Sequence, residues 1–485
     1  MCGVWIHAVF SYPGACCQHI VTANLEAENQ LPGGRTIDGT EQGTSIVDTV
    51  RDAGITQVRV IFLDYNGLAR ARSVSLDSLA GALKKGVNFS SPTVDFNSRD
   101  LFPSGAAFNL ASPDFWAKPD PSTYQAVPYA PGVGQMYADL VDAQGEPWAG
   151  CPRTALRRMV RRAEERGLRF NVGFEPEGYI FRRTERGPEA IGLREFASVD
   201  GLDLERGFTQ KLLASLSSMG VQVEQWSEEY GAGQIEINLR YQDPLAAADG
   251  LTTFKQTFRA VARDFGLHGT FMPKPFGDQA GSGLHVHLSA SPPEGSQNLF
   301  DDPSDELGLS TLGRHALGGL LAHGEALTAL GASTVNSYKR LLPGSWAPTD
   351  VMYSYASRAA FVRIPERETA RRLELRVGDG AGNPYLYLTG ILAAALDGIE
   401  RESDPGPPAP GDVGALGPAE KAELGARPLP RSLDKALECL ATDGEVLTAL
   451  GSLIAQEFIK VKRSEWDSFV MDVGLWDRDW YLERY

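Results

Sequence analysis

The chain reads as an α+β protein with a small N-terminal domain and a large second domain, and three observations predict this. At 485 residues it exceeds what one ordinary core holds. Several stretches alternate apolar and polar residues with the two-residue period of a half-buried strand, and longer stretches between them keep the helical 3.6 period. The hydrophobic share of 42% permits a real core.

Residues 1–43 read as a disordered or loosely attached extension. Met1 to Ile20 is mildly apolar without a positive n-region, which argues against a signal peptide, and Gly33-Gly34 opens a loop-like stretch. His7, His19 and Cys16-Cys17 are spaced too irregularly for a metal site. Residues 44–145 predict a small α/β domain: a helix near Ser45 to Ala53, a strand over Gln57 to Asp64 and a turn at Asn66-Gly67. Asp64 and Arg70 read as hairpin residues around that turn.

Residues 150–485 form the larger domain. Pro152 opens a helix in which Leu156, Met159, Val160 and Ala163 fall at helical spacing and which Gly167 closes; Pro244 to Phe265 and Pro384 to Arg401 are further helices. Asp404 to Pro418, rich in Pro and Gly, reads as a surface loop, and no internal repeat is visible. A net charge of −16 argues against nucleic-acid binding. Five cysteines without a CxxC pair suggest a reducing, cytoplasmic setting. The longest apolar run, Leu388 to Leu396, falls far short of the ~18 residues of a membrane helix.

The strand stretches carry the chemistry. In Phe170 to Glu177, Phe170, Val172 and Phe174 face one way and Glu175 and Glu177 the other. The same alternation sets Glu236 opposite Ile235 and Ile237, His285 and His287 opposite Leu284 and Val286, and Glu374 opposite Leu373 and Leu375. With Glu229 these residues make a sheet with an apolar back and an ionised front. Carboxylates crowded together raise one another's pKa unless a cation lies between them, and five carboxylates with one imidazole suit Mg²⁺ or Mn²⁺ better than zinc. Arg340, Arg358, Arg363, Arg372 and Arg376 fall in or beside the same strands and supply forks for phosphate and carboxylate groups. Metals and arginines on one surface describe a phosphoryl-transfer site.

At these residues the chain resembles the glutamine synthetase family, of the bacterial type. The matching segments are Glu175-Pro176-Glu177, Glu229 to Glu236, Phe271-Met272-Pro273-Lys274-Pro275, Gly281 to His287, Asn336-Ser337-Tyr338-Lys339-Arg340, Arg363-Ile364-Pro365, Arg372 to Arg376 and Asn383-Pro384-Tyr385-Leu386, in order over roughly residues 45–485. The resemblance implies a β-grasp-like N-terminal domain and a catalytic domain with a curved antiparallel sheet flanked by helices, forming a funnel that takes ATP at one end and an amino acid carboxylate at the other. It implies about two or three divalent ions per site: Glu177, Glu229 and Glu236 on one, Glu175, His285 and Glu374 on another. It places Arg358, Arg363 and Arg372 on the γ-phosphate, Gly281, Arg340 and Arg376 along the amino acid, and His287 and Ser289 beside the nucleotide. It further implies a ring-shaped homo-oligomer, a dodecamer, with sites between neighbouring subunits.

The chain departs from the family where ammonia is handled. The flap reads Pro343-Gly344-Ser345-Trp346-Ala347-Pro348, with Trp346 at the family's glutamate position; Ser90 stands near the family's aspartate, with Asp95 close by. Ala280 replaces a frequent asparagine, and the loop Leu424 to Pro428 lacks the tyrosine that adenylylation needs. Trp346 disfavours a small cation and suits an organic amine by apolar or cation–π contact. The expected activity is therefore ATP-dependent activation of glutamate's γ-carboxylate and its transfer to an organic amine, giving a γ-glutamyl amide. Glutamine synthetase itself, using ammonia, is the first alternative. A non-catalytic oligomeric relative is the second, although all six metal positions are filled.

Overall fold

Ser45 caps the first helix, Ile46–Asp52, by accepting the Asp48 amide. The computed structural model describes residues 45–192, 194–305, 308–365 and 370–485. The expected extension 1–43, with its histidines and paired cysteines, lies outside the described residues.

The N-terminal domain is a mixed sheet of six strands: β1 (Gln57–Leu63), β2 (Ala69–Ser75), β3 (Val87–Phe89), β4 (Phe115–Pro119), β5 (Gln125–Ala126) and β6 (Val133–Val141). The order is β2-β1-β6-β4-β3, with β5 paired to β6, and the central pair β1–β6 is parallel. The helix Leu76–Lys85 follows β2 and buries Leu79 and Ala82. A hairpin, a helix and a central parallel pair make the β-grasp arrangement. The hairpin turn is built by Asp64, whose Oδ1 accepts the amides of Asn66 and Leu68 at 2.9 Å each and whose Oδ2 accepts Arg70 Nε at 2.8 Å.

In the large domain the strands are β7 (Arg169–Thr184), β8 (Gly187–Ala190), β9 (Val223–Glu228), β10 (Gln234–Leu239), β11 (His268–Thr270), β12 (Leu284–Ser291), β13 (Asp350–Val351), β14 (Tyr353–Ser354), β15 (Val362–Arg363), β16 (Leu373–Leu375) and β17 (Arg427–Pro428). Nine form one sheet in the order β14-β15-β16-β12-β7-β10-β9, with β8 and β11 added to β7. All its pairings but β14–β15 are antiparallel, and β13 and β17 make a separate ribbon.

The apolar face of this sheet, with Phe170, Val172, Phe174, Ile237, Val286, Leu373 and Leu375, is part of the main core, which also takes in Phe62, Phe89 and Phe115 of the N-terminal domain. Helices Pro152–Glu164, Pro244–Asp264 and Pro384–Glu400 supply much of the rest. Each begins with Pro at a position whose N–H would have no helical partner, behind a cap from Cys151, Asp243 or Asn383. Asn383 also ties the domains together: its Oδ1 accepts the amides of Tyr385 and Leu386, while its Nδ2 donates to Asp64 O at 2.8 Å. The close packing of the turn at Gly67, where an added Cβ would lie 2.6 Å from Gly382 O and φ is +77°, requires glycine.

Candidate active site

Strand register assembles the polar face. Glu236 lies opposite Glu177, His285 opposite Glu175, Glu374 opposite His287, and Arg363 opposite Glu374. Residues paired across strands share a face, so five strands line up one row of ionisable groups. Glu229 stands just past the end of β9, where its backbone N–H donates to Gln234 O.

Two groups that could hold a metal ion emerge from this row. Oxygen and nitrogen atoms of Glu175, His285 and Glu374 lie within 4.8 Å of one another, as do those of Glu177, Glu236 and His285. The first is the set expected. The second differs from expectation, with His285 where Glu229 was placed, because His285 sits between both groups: Nδ1 is 3.4 Å from Glu175 and 3.6 Å from Glu374, and Nε2 is 3.8 Å from Glu177.

The two halves differ in charge balance. Burial would raise the Glu175 carboxyl, but His287 and His285 beside it hold it well below the usual range. Burial likewise opposes ionisation of Glu374, yet Arg376, the two histidines and Arg363 bring it down to about 2. His285 is lowered by burial and by Arg376. In the other half burial and mutual repulsion of the carboxylates outweigh the pull of Arg358 and Arg376. Burial pushes up Glu229, helped by Glu177, and pushes up Glu236, helped by the charges of Glu175, Glu177 and Glu229. An all-oxygen group short of positive charge, joined by one imidazole, fits a hard divalent cation. Polar neighbours aim these ligands: Gln234 Nε2 donates to Glu177 Oε2 at 2.9 Å, and Asn238 Nδ2 to Glu175 Oε1 at 2.6 Å.

A cavity of about 540 Å³ opens from this row, lined by Glu177, Glu229, Glu236, His285, Gly281, Arg340, Arg358, Arg376 and Trp346. Gly281 must be glycine, since an added Cβ would lie 2.7 Å from Arg340 Cγ. Arg340 and Arg376, expected on a substrate's carboxylates, line the cavity but are engaged with protein atoms. Arg340 donates to Val377 O at 3.0 Å and Arg376 O at 2.9 Å. Arg376 pairs with Glu374 and donates to Arg358 O at 2.7 Å. Arg363 pairs with Glu374 at 2.7 Å, Arg372 Nε donates to His287 Nδ1 at 2.9 Å, and Arg358 is exposed at the cavity wall. His287 also has Nε2 2.8 Å from Glu175, and Ser289 continues the β12 face beyond it.

The flap holds Trp346 at φ +55°, with its ring edge against Tyr230 at 5.2 Å between centroids; Tyr230 in turn stacks on Phe196 at 4.5 Å. All three rings line the cavity beside Glu229. Trp346 and Arg358 also line a second cavity of about 630 Å³, bounded by Ser354 to Ala359 and by Pro408 to Asp412 of the predicted surface loop. Ser90 is exposed and Asp95 is fully buried, and neither lines the first cavity.

Sequence reasoning assigned nothing to Phe196 or Gln234. Gln234 lies on the predicted polar strand face and was legible in principle; Phe196 comes from a loop with no periodic signal.

Comparison with known proteins gives consistent findings. The family profile described as "Glutamine synthetase, catalytic domain" matches residues 149–481, and "Glutamine synthetase N-terminal domain" matches residues 41–148. The chain is 32% identical over 454 residues to glutamine synthetase of Halobacterium salinarum, covering 92% of this chain and 98% of that one. With the Thermococcus kodakarensis glutamine synthetase it shares 34% identity over 437 residues, 87% and 94% of the two chains. Among solved structures it is similar to a GmaS/ADP complex, with TM-score 0.82, 33% identity and coverage of 91% of this chain and 100% of that one.

Proposed function

Since the chain belongs to the glutamine synthetase family and is an ATP-dependent ligase of that type, we propose that it joins the γ-carboxylate of glutamate to an organic amine, giving a γ-glutamyl amide. One observation carries the choice of amine. The wall of the cavity next to Glu229 is made of the rings of Trp346, Tyr230 and Phe196. Among the described residues lining that cavity, the only acidic side chains are Glu177, Glu229 and Glu236. A carboxylate on the flap would draw in ammonium and take its proton; an aromatic wall favours a carbon-bearing cation.

Glu175, His285 and Glu374, and Glu177 and Glu236 with His285, would hold divalent cations, with Glu229 on the same cavity wall completing the second set. Such cations, when bound, neutralise and orient the phosphates of ATP. The side chains do the rest. Arg358, Arg363 and Arg372 face the transferred phosphoryl group and balance the charge that spreads over its oxygens. Oxide is too poor a leaving group for direct attack, so the γ-phosphoryl moves to a glutamate carboxylate oxygen, its bond to ADP breaking as the acyl phosphate forms. The amine nitrogen then attacks the acyl carbon, phosphate departs, and the nitrogen loses a proton to solvent or a nearby carboxylate. Gly281 and Arg340 line the amino acid's path, and His287 and Ser289 extend the strand toward the nucleotide end. That a similar structure is a GmaS/ADP complex supports an adenine nucleotide as a ligand.

Phosphate release with ATP, Mg²⁺, glutamate and a series of amines tests the reading. At least one organic amine should give kcat/KM well above ammonia, graded across the series, since one or two methylenes discriminate by only about 1–3 kcal/mol. Preference for ammonia over every amine would make the protein a glutamine synthetase proper, the activity in its curated relatives' names.

A further inference from the structure

A separate cavity of about 310 Å³ lies where the Asn66-Gly67 turn of the N-terminal domain meets the Pro244–Asp264 helix and the segment 270–272. Lys255 and Arg259, one helical turn apart, both line it. They share one aromatic neighbour: Lys255 Nζ lies 5.9 Å and Arg259 Cζ 5.5 Å from the centre of the Phe271 ring. Lys255 is only 7% exposed. Among the described residues, no carboxylate lies within ion-pair distance of either cation and neither donates a hydrogen bond.

Such an arrangement is costly. Lys255 is withdrawn from water beside the part-buried Arg259, and Asp379 reaches it only as a field from beyond ion-pair distance, so the pair lacks the close counter-charge that buried charges normally have. Burial, reinforced by Arg259, pushes the Lys255 ammonium down to about 7. The third cation on the wall is different, because Lys462 Nζ already donates to Asn66 Oδ1 at 2.8 Å and lies 3.4 Å from Glu465 Oε2. The unmatched positive charge is thus confined to the Lys255–Arg259 side.

We propose that this cavity is an anion site outside the active site, in which Lys255 and Arg259 hold the carboxylate or phosphate group of a small molecule. The guanidinium fork suits either group. Phe271 and Leu68 on the wall offer apolar contact to a short carbon skeleton, for which the volume leaves room beyond the anionic head.

The position suggests what binding does. Gly380 and Ala381 line the cavity, and Asp379 just before them accepts the Ala381 amide at 2.9 Å. Asp379 is fully buried and attracts both Lys255 and Arg340. An anion that takes up the charge of Lys255 leaves the field of Asp379 to Arg340, which weakens Arg340 as a partner for substrate carboxylate. Occupancy therefore raises KM for glutamate with little change in kcat. This coupling rests on the role proposed for Arg340; the binding itself does not.

Calorimetry on the full-length protein tests the site, with Mg·ADP and glutamate saturating the active site and inorganic phosphate or succinate as titrant. At least one probe should bind saturably, and Lys255→Met and Arg259→Gln should each weaken it about tenfold or more. Binding of phosphate alone assigns the site to a phosphate head, binding of succinate to a carboxylate. Lys255→Met removes a buried charge and keeps the volume, so it should melt no lower than wild type; if it fails to fold, Arg259→Gln decides. No saturable binding of either probe, or affinities unchanged in the folded variants, overturns the proposal. A probe that binds at Lys255 and leaves KM for glutamate unchanged overturns the coupling and keeps the site.

Discussion

Glu236 and Glu374 stand in the same row of the sheet, yet substitution should affect them in opposite ways. Glu374 is fully buried between Arg363 and Arg376, and its carboxyl lies at about 2. A group lowered on folding contributes stability that is present above its unfolded value and is lost as pH falls through the folded one. Glu374→Gln leaves two guanidinium groups without their partner and should cost about 3 kcal/mol or more in denaturant unfolding at neutral pH. Glu236 is raised by burial and by neighbouring carboxylates, so its charge opposes folding as pH rises above the ordinary glutamate range. Metal-free Glu236→Gln should therefore melt at or above wild type, while calorimetric Mn²⁺ affinity and turnover both fall by about a hundredfold or more. A Glu236→Gln variant that binds Mn²⁺ and turns over like wild type would show that this carboxylate holds no metal. Trp346→Glu, on the flap, should shift the kcat/KM ratio toward ammonia, and an unchanged ratio would take the aromatic wall out of amine selection.

At the scale of elements, much of the site was legible because most of its ligands sit on strands whose two-residue alternation fixes which face each side chain takes. Glu175, Glu177, Glu236, His285 and Glu374 needed no knowledge of strand order to be placed on one face. Strand order, which sets who stands beside whom, is a matter of long-range pairing that no local pattern encodes. For that reason the alternation placed His285 on the face without showing that it stands between two groups, and it gave no sign that Arg376, just past the end of β16 at Leu375, pairs with Glu374. The Pro- and Gly-rich loop carried no sign that Pro408 to Asp412 would wall a cavity. Another junction invisible in the sequence is His323, between the helices Thr311–Ala322 and Gly324–Gly331. Its ring lies 2.7 Å from Asp443 and 3.2 Å from Asp397, and although burial lowers it, the two carboxylates raise it overall. A histidine raised on folding contributes stability that is full below its unfolded value, about 6.5, and is lost as pH rises through the folded one. The melting temperature of wild type should thus fall more steeply above pH ~6.5 than that of His323→Gln, in parallel melts across that range. Parallel curves for the two proteins would mean that the junction is held without the imidazolium.

Over the whole molecule, the described residues leave a large exposed apolar surface on the C-terminal segment. No helix among the described residues is long and apolar enough to cross a membrane, yet Val470, Met471, Val473, Leu475, Trp476, Trp480 and Leu482 are each more than half exposed. The helix Leu475–Tyr481 buries none of its residues. Apolar area of this kind, concentrated in one segment at the edge of the fold, is what an interface looks like before its partner is added, and a closed symmetric assembly is the common way to cover it. We expect the full chain to form a closed homo-oligomer of 52.5 kDa subunits, with this segment against a neighbouring copy. The segment adds little to its own subunit's core, so a chain truncated after Asp472 should keep its melting temperature within a few degrees, as expected when exposed residues are lost. It should run as a smaller species by light scattering at matched concentration. Unchanged mass after truncation would place the subunit contacts elsewhere, and a full-length chain that runs as a monomer would leave these rings to some other partner.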